Sequence, residues 1–241
     1  MKLEKQTRFK RFDIHQRIQH GMMFTSFIVL ALTGLPIKYH YTGWAQVVVN
    51  LFGGFDNMFF THLTGAVVML ASSAYHLAYL LIMFLIGKRS WATMPHPKDI
   101  IDLVVSMKYF LGLSKDKPQF DRYSYKEKFD YWAVFWGMFI IGGSGLMMWF
   151  PEISAQYFPR WVISSARVAH SDEAMLAILA IFIWHFYNVH FSPSFFPGSW
   201  VWWHGQLTRE EMKHEHPIEL ERIEKQQDDG QKAIDSKKLN V

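Results

Sequence analysis

The 241-residue chain contains no cysteine. That excludes disulfides, iron–sulfur clusters held by thiolates and covalent haem attachment through C-x-x-C-H. Acidic residues are missing where the chain is most apolar, since Asp130, Asp172 and Glu173 fall only at the ends of apolar blocks. A metal or proton transporter would place carboxylates near the membrane midplane, so this distribution argues against one. No nucleotide-binding motif is present. The formal charge of +4 comes from basic residues that flank the apolar blocks, which is no footprint for nucleic acid. No internal repeat is evident, and the first apolar run is too long for the h-region of a cleaved signal peptide.

A mean hydropathy of +0.01 hides four apolar blocks, at 18–37, 58–87, 129–150 and 171–191. Each meets or approaches the ~20 residues that a spanning helix needs. Amphipathic stripes, the mark of a soluble domain of this length, are replaced by continuous runs. The expected fold is all-α: a polytopic membrane protein with a four-transmembrane-helix bundle over 18–203. Its helices are expected at about 18–37, 57–87, 129–150 and 170–191. A segment at 1–17, a loop at 88–128 and a tail at 204–241 complete the chain. Residues 1–17 carry six Lys/Arg and the loop nine, whereas 38–57 has only Lys38 and 151–169 only Arg160 and Arg167. The positive-inside rule then puts both termini and the loop in the cytoplasm. Within that loop, 97–113 interleaves apolar residues with charges and reads as a helix on the cytoplasmic surface or one packed against a partner. Trp149, Trp200, Trp202 and Trp203 read as interfacial belts. The tail from Gly205 reads as polar and helical, without a core of its own.

Histidine carries the chemistry. An imidazole in hydrocarbon is costly unless something binds it. His170 and His185 are fifteen residues apart, roughly 22 Å along a helix axis and about 60° apart around it. His62 and His76 are fourteen apart, about 21 Å and −40°. His62 and His170 both open inward-running helices and meet at the outer face; His20, His76 and His185 fall toward the inner face. Bis-histidine b-type haem at each level accounts for most of them. A lone histidine would be a hydrogen-bonded core residue, and that alternative stays open for His76. Small residues between His62 and His76 (Gly65, Ala66, Ala71, Ser72, Ser73, Ala74) leave room for a ring, while Gly21 and the Gly142–Gly143–Ser144–Gly145 run permit close approach of a ring or of a neighbouring helix. His15, His40, His96, His204, His214 and His216 lie in loops or tails and read as solvated or surface-bonded.

The order of these motifs resembles a known family, the four-helix dihaem cytochrome b subunits of membrane formate dehydrogenases (gamma subunit) and nickel–iron hydrogenases. The likeness runs through Arg17-Ile-Gln-His20, Leu32-Thr-Gly-Leu35, Thr61-His62, Arg122-Tyr-Ser-Tyr-Lys-Glu-Lys128, Val168-Ala-His170, His185-Phe-Tyr187 and the tail Gly205-Gln-Leu-Thr208 with Lys213-His-Glu-His-Pro217. The resemblance implies two haems b, with His62 and His170 as axial ligands of the outer iron and His20 and His185 of the inner one. Electrons would pass between a periplasmic or membrane-bound redox subunit, of the iron–sulfur or multihaem type, and menaquinone or ubiquinone near the inner haem.

Two departures matter. The last pair is spaced fifteen where the family has fourteen, which calls for a helix bulge or a different ligand pairing. Ser124 and Lys126 stand where the formate dehydrogenase subunit has Asn and Gly near its quinone. His76 is additional, and in the cytochrome b of cytochrome bc complexes two parallel helices supply all four ligands at its spacing from His62. A His76–His185 inner haem would leave His20 and His190 for a third haem or a quinone site. His190, Tyr187, Asn188 and Ser124 are candidates for binding quinone or passing protons. Arg17 and Arg167 are candidates to pair with haem propionates, or else with lipid headgroups. The sequence thus reads as an electron-transfer subunit of a quinone-linked respiratory complex in a prokaryotic inner membrane, rather than an enzyme by itself. A stand-alone transmembrane haem reductase and a histidine-based metal or proton transporter are its rivals.

Overall fold

The computed structural model describes residues 8–88, 90–192 and 196–239. In chain order its elements are β1 (Arg8–Lys10), α1 (Ile14–Lys38), α2 (Gly43–Leu51), α3 (Phe55–Leu85), α4 (Pro97–Phe110), α5 (Tyr125–Trp149), α6 (Pro151–Tyr157), α7 (Arg160–Leu179), α8 (Val201–His204), β2 (Gln206–Thr208), α9 (Arg209–Glu215) and α10 (Pro217–Leu239). Two π-helical stretches, Ala180–His185 and Tyr187–Phe191, prolong α7. The chain forms two compact units: a membrane unit of Asp13–Arg89 and Trp132–Trp202, and a second unit of Met1–Phe12, Ser90–Tyr131 and Trp203–Val241.

Four helices are long and apolar enough to cross a bilayer: Ile14–Lys38, Phe55–Leu85, Tyr125–Trp149 and Arg160–Phe191. They correspond to the expected four, with shifted ends. The fourth begins ten residues before its expected start because the polar-flanked stretch from Arg160 to Ala169 continues the helix into the apolar run. Helix α1 opens on a capping box: the Gln16 amide donates to Asp13 Oδ1 at 2.9 Å and the Asp13 amide to Gln16 Oε1 at 3.0 Å. The Tyr79 hydroxyl donates to the other Asp13 oxygen at 2.6 Å and ties α1 to α3. Burial alone would raise the Asp13 carboxyl, but the Tyr79 and Gln16 hydrogen bonds outweigh it and hold the group below its ordinary value.

Helix α1 packs along α3, where small residues let the backbones approach. A Cβ on Gly65 would stand 3.1 Å from Val29, and the fully buried Ser72 donates to the Gln19 carbonyl at 3.3 Å. Gly65 and Ser72, read in sequence as room for a ring, therefore serve helix packing. Gly142 likewise meets Leu70 of α3.

In the second unit β1 pairs antiparallel with β2, Phe9 opposite Leu207. Phe9, Leu207, Met212 and Leu220 are buried there, so the tail has a core that its polar composition hides. Beside this core lies an ion cluster. Arg11 donates to Glu219 at 2.7 Å and to Glu127 at 3.1 Å, and Arg122 donates to Glu219 at 2.7 Å and to the Arg11 carbonyl at 2.7 Å. Arg11 and Glu219 are both buried. His216 Nδ1–H donates to the Asp121 carbonyl at 2.8 Å, so this tail histidine is an internal clasp and not the solvated one expected.

Candidate haem-binding site

In the membrane unit the first turns of α3 and the first half of α7 bring His62 and His170 together, with ring centroids 6.5 Å apart and planes at 68°. Each ring is held from behind. His62 Nδ1 is 2.9 Å from Thr33 Oγ1; that hydroxyl donates to the Val29 carbonyl at 2.7 Å, so it accepts the imidazole N–H. His170 Nδ1–H donates to the Ile141 carbonyl at 3.0 Å, with Ser144 Oγ at 3.3 Å. Tautomer and ring orientation are thereby fixed, and among the described residues neither Nε2 has a protein partner. This is the donor set a bis-imidazole metal site requires. Two metal–imidazole bonds of about 2 Å each, plus the nitrogen-to-centre distance of each ring, add to roughly 6 Å, close to the separation seen.

Two glycines cradle the rings. A Cβ on Gly34 would stand 3.3 Å from His62 Cε1, and one on Gly145 would stand 3.1 Å from His170 Cε1. Of the glycine-rich run in α5, Gly145 thus serves a ring while Gly142 serves packing. Lys38 closes the same end of the bundle by donating to Ser171 at 2.6 Å and to Asp172 at 2.9 Å.

Toward the other end, His20 and His185 stand within electrostatic reach of each other. Trp202, expected in an interfacial belt, lies 5.9 Å from the His20 ring. Gly21 faces open space, with no heavy atom within 4 Å of where a Cβ would be. Arg17 Nε is buried without a protein partner among the described residues; it is the orphan donor that a propionate would satisfy. Arg167 is exposed. His76 Nδ1 hydrogen-bonds Gln19 Oε1 at 2.9 Å. His190 packs edge-on to Phe186 at 5.6 Å and lies against Gly198. Asn188 donates to the Trp184 carbonyl at 2.8 Å, and Tyr187 is exposed. Ser124 belongs to the second unit, where it caps α5: its hydroxyl donates to Glu127 Oε2 at 2.9 Å and accepts the Glu127 amide at 3.3 Å. Its hydroxyl is committed to a helix end.

The expected helix bulge is present. The π-helical stretch Ala180–His185 falls between His170 and His185. A π turn acts as one inserted residue, so fifteen residues do the angular work of fourteen α-helical steps, about −40°, and His185 returns to the face of His170.

A family model for prokaryotic cytochrome b561 matches residues 11–195. The chain belongs to that family. It is a membrane b-type cytochrome, with haem b as its cofactor, and a multi-pass protein of the inner membrane. The chain is also similar to the cytochrome b556(Fdn) subunit of nitrate-inducible formate dehydrogenase from Escherichia coli K12, at 25% identity over 147 residues. The matched stretch covers 61% of this chain and 65% of that protein, and the Escherichia coli O157:H7 and Shigella flexneri proteins match equally.

What sequence reading missed is the supporting roles: Thr33, Gly34 and Gln19 entered only as parts of the resembling motifs and Ser144 only as part of the glycine run, while Ile141 and Lys38 were given no role at the site. Thr33 and Gly34 had a signal, a hydroxyl beside a glycine in an apolar helix. Ile141 had none, because it contributes only its carbonyl.

Proposed function

We propose that this chain is the membrane-anchoring subunit of a quinone-linked oxidoreductase and carries electrons between a periplasmic redox partner and the quinone pool. The observation that carries this reading is the His62–His170 pair, with both Nδ1 atoms engaged and, among the described residues, neither Nε2 hydrogen-bonded. When bound, haem b supplies one-electron redox chemistry. His62 and His170 hold the outer iron and His20 and His185 the inner one, each pair from two helices. Thr33, Ile141 and Ser144 fix the outer imidazoles, and Arg17 neutralises a propionate. Gln19 engages His76, which supports a structural role for that residue and the His20–His185 choice for the inner pair. Both termini lie in the cytoplasm. Quinone reduction at the inner end consumes two electrons and two cytoplasmic protons per quinol formed; His190, Tyr187 and Asn188 are the candidates there for binding quinone or passing protons.

A pyridine haemochrome assay on the purified chain tests the reading directly. Two haems per chain, falling to one in His62→Ala and in His170→Ala, is the expected result. A colourless protein overturns it, and three haems would assign His76 and His190 to iron. Rapid turnover of a small acceptor by the chain alone would favour the stand-alone reductase.

A further inference from the structure

Helix α4 is inverted relative to a helix of a soluble domain. Two of its polar side chains face inward: Asp102 is 7% exposed and Ser106 4%. Lys98 binds Asp102 at 2.6 Å and Lys128 binds Asp99 at 2.8 Å. Its outward face is apolar, with Ile100 68% exposed, Ile101 61%, Val104 44%, Met107 54%, Phe110 66% and Leu111 69%. At 100° per residue these six, with Leu103, fall within one half of the helix, with Lys108 near one edge between Val104 and Ile101. A contiguous apolar surface of this kind marks contact with a partner or a membrane.

We infer that this face lies in the bilayer, immersed at the acyl–headgroup boundary as an interfacial helix. Three observations select lipid over protein. First, the Asp99–Lys128 pair fixes α4 to the opening turns of α5, which is itself a membrane span, so the apolar face sits at the end of a span. Second, only eleven residues separate Leu85, the end of the α3 span, from Pro97, a reach of at most ~40 Å. Third, Lys108 lies on α4 and Lys115 and Lys117 follow it in the chain, and Trp91 and Leu113, which flank α4 in sequence, are exposed. Basic residues and tryptophan around an apolar stripe suit an anionic headgroup layer. The ion pairs beneath α4 then explain its inversion: the polar face is satisfied by protein and the apolar face by acyl chains. Which leaflet receives it rests on the topology proposed above; the immersion does not.

The absence of cysteine makes the test clean. Single variants Ile100→Cys, Val104→Cys and Met107→Cys in the full-length protein are nitroxide-labelled and placed in phosphatidylethanolamine/phosphatidylglycerol nanodiscs. Val67→Cys, mid-span in α3, serves as the lipid reference and Glu221→Cys, on α10, as the aqueous one. The expected result is oxygen accessibility several-fold above that of a water-soluble nickel chelate at all three positions, as at Val67. Labels that behave like Glu221 overturn the proposal, and so do labels shielded from both reagents, which would mean a protein partner or a second copy. Should a variant not express, Ile101→Cys on the same face replaces it. Sidedness is read separately in sealed proteoliposomes with an impermeant quencher, so a wrong topology and a wrong occupant give different results.

Discussion

At the scale of single residues the His62–His170 pair is decided by what stands behind the imidazoles. Thr33 has two duties: it satisfies the Val29 carbonyl within α1 and accepts the N–H of His62. Thr33→Val keeps the shape and removes the acceptor. Loss of such a supporting hydrogen bond typically costs 10–100-fold in metal affinity. Haem titration of the apoprotein should therefore show about that loss in Thr33→Val, while Thr33→Ser restores near-normal binding; an unchanged affinity would remove Thr33 from the site. Gly145 tests sterics instead. A methyl there would press on His170 Cε1 at 3.1 Å, tighter than the 3.3 Å at Gly34. Gly145→Ala is expected to displace the His170 ring and lose haem more completely than Gly34→Ala, as read from the haem-to-protein absorbance ratio. None of this is visible in composition, because a backbone carbonyl such as that of Ile141 carries no residue signature.

At the scale of elements, the spans were legible because each is a continuous apolar run, and the histidine spacing gave their phase. What the pattern does not give is a helix that continues through polar residues, as α7 does from Arg160, or one whose polar face is buried, as in α4. Both violate the assumption that charge marks the surface. The fifteen-residue spacing could be flagged in sequence but resolved only by the hydrogen-bonding of Ala180–His185. If the π turn acts as an inserted residue, then deleting Ile183, whose side chain is exposed on the apolar exterior, returns the stretch to ordinary α-helix with His185 still in phase. Haem content should survive that deletion. Inserting an alanine at the same point turns His185 by about 100° and should abolish one haem per chain. Equal losses in both variants would refute the phase argument.

At the scale of the whole molecule the second unit is the part that sequence reading could not assemble. Its strands pair residues 8–10 with 206–208, and its charged cluster joins Arg11, Arg122, Glu127 and Glu219 from three distant segments. Alternation and apolar runs report local neighbours; a buried arginine held by two glutamates looks in sequence like surface charge. Breaking a buried ion pair by removing one partner typically costs about 3–5 kcal/mol. Arg11→Ala should therefore expose the tail to protease while the haem spectrum of the membrane unit is retained. The same unit should respond to acid. Burial, and then the neighbouring Arg11 charge, push the His216 imidazole below its ordinary value of 6.5, so the folded unit binds fewer protons than the unfolded chain. Stability from this group is complete above about pH 6.5 and is lost progressively as pH falls below that toward the depressed folded value. Protease sensitivity of the tail should rise over this interval in the native protein. In His216→Asn, where no proton is taken up on unfolding at this position, the rise should be smaller, even if the starting stability is lower. Identical pH profiles in the two proteins would place the acid sensitivity elsewhere.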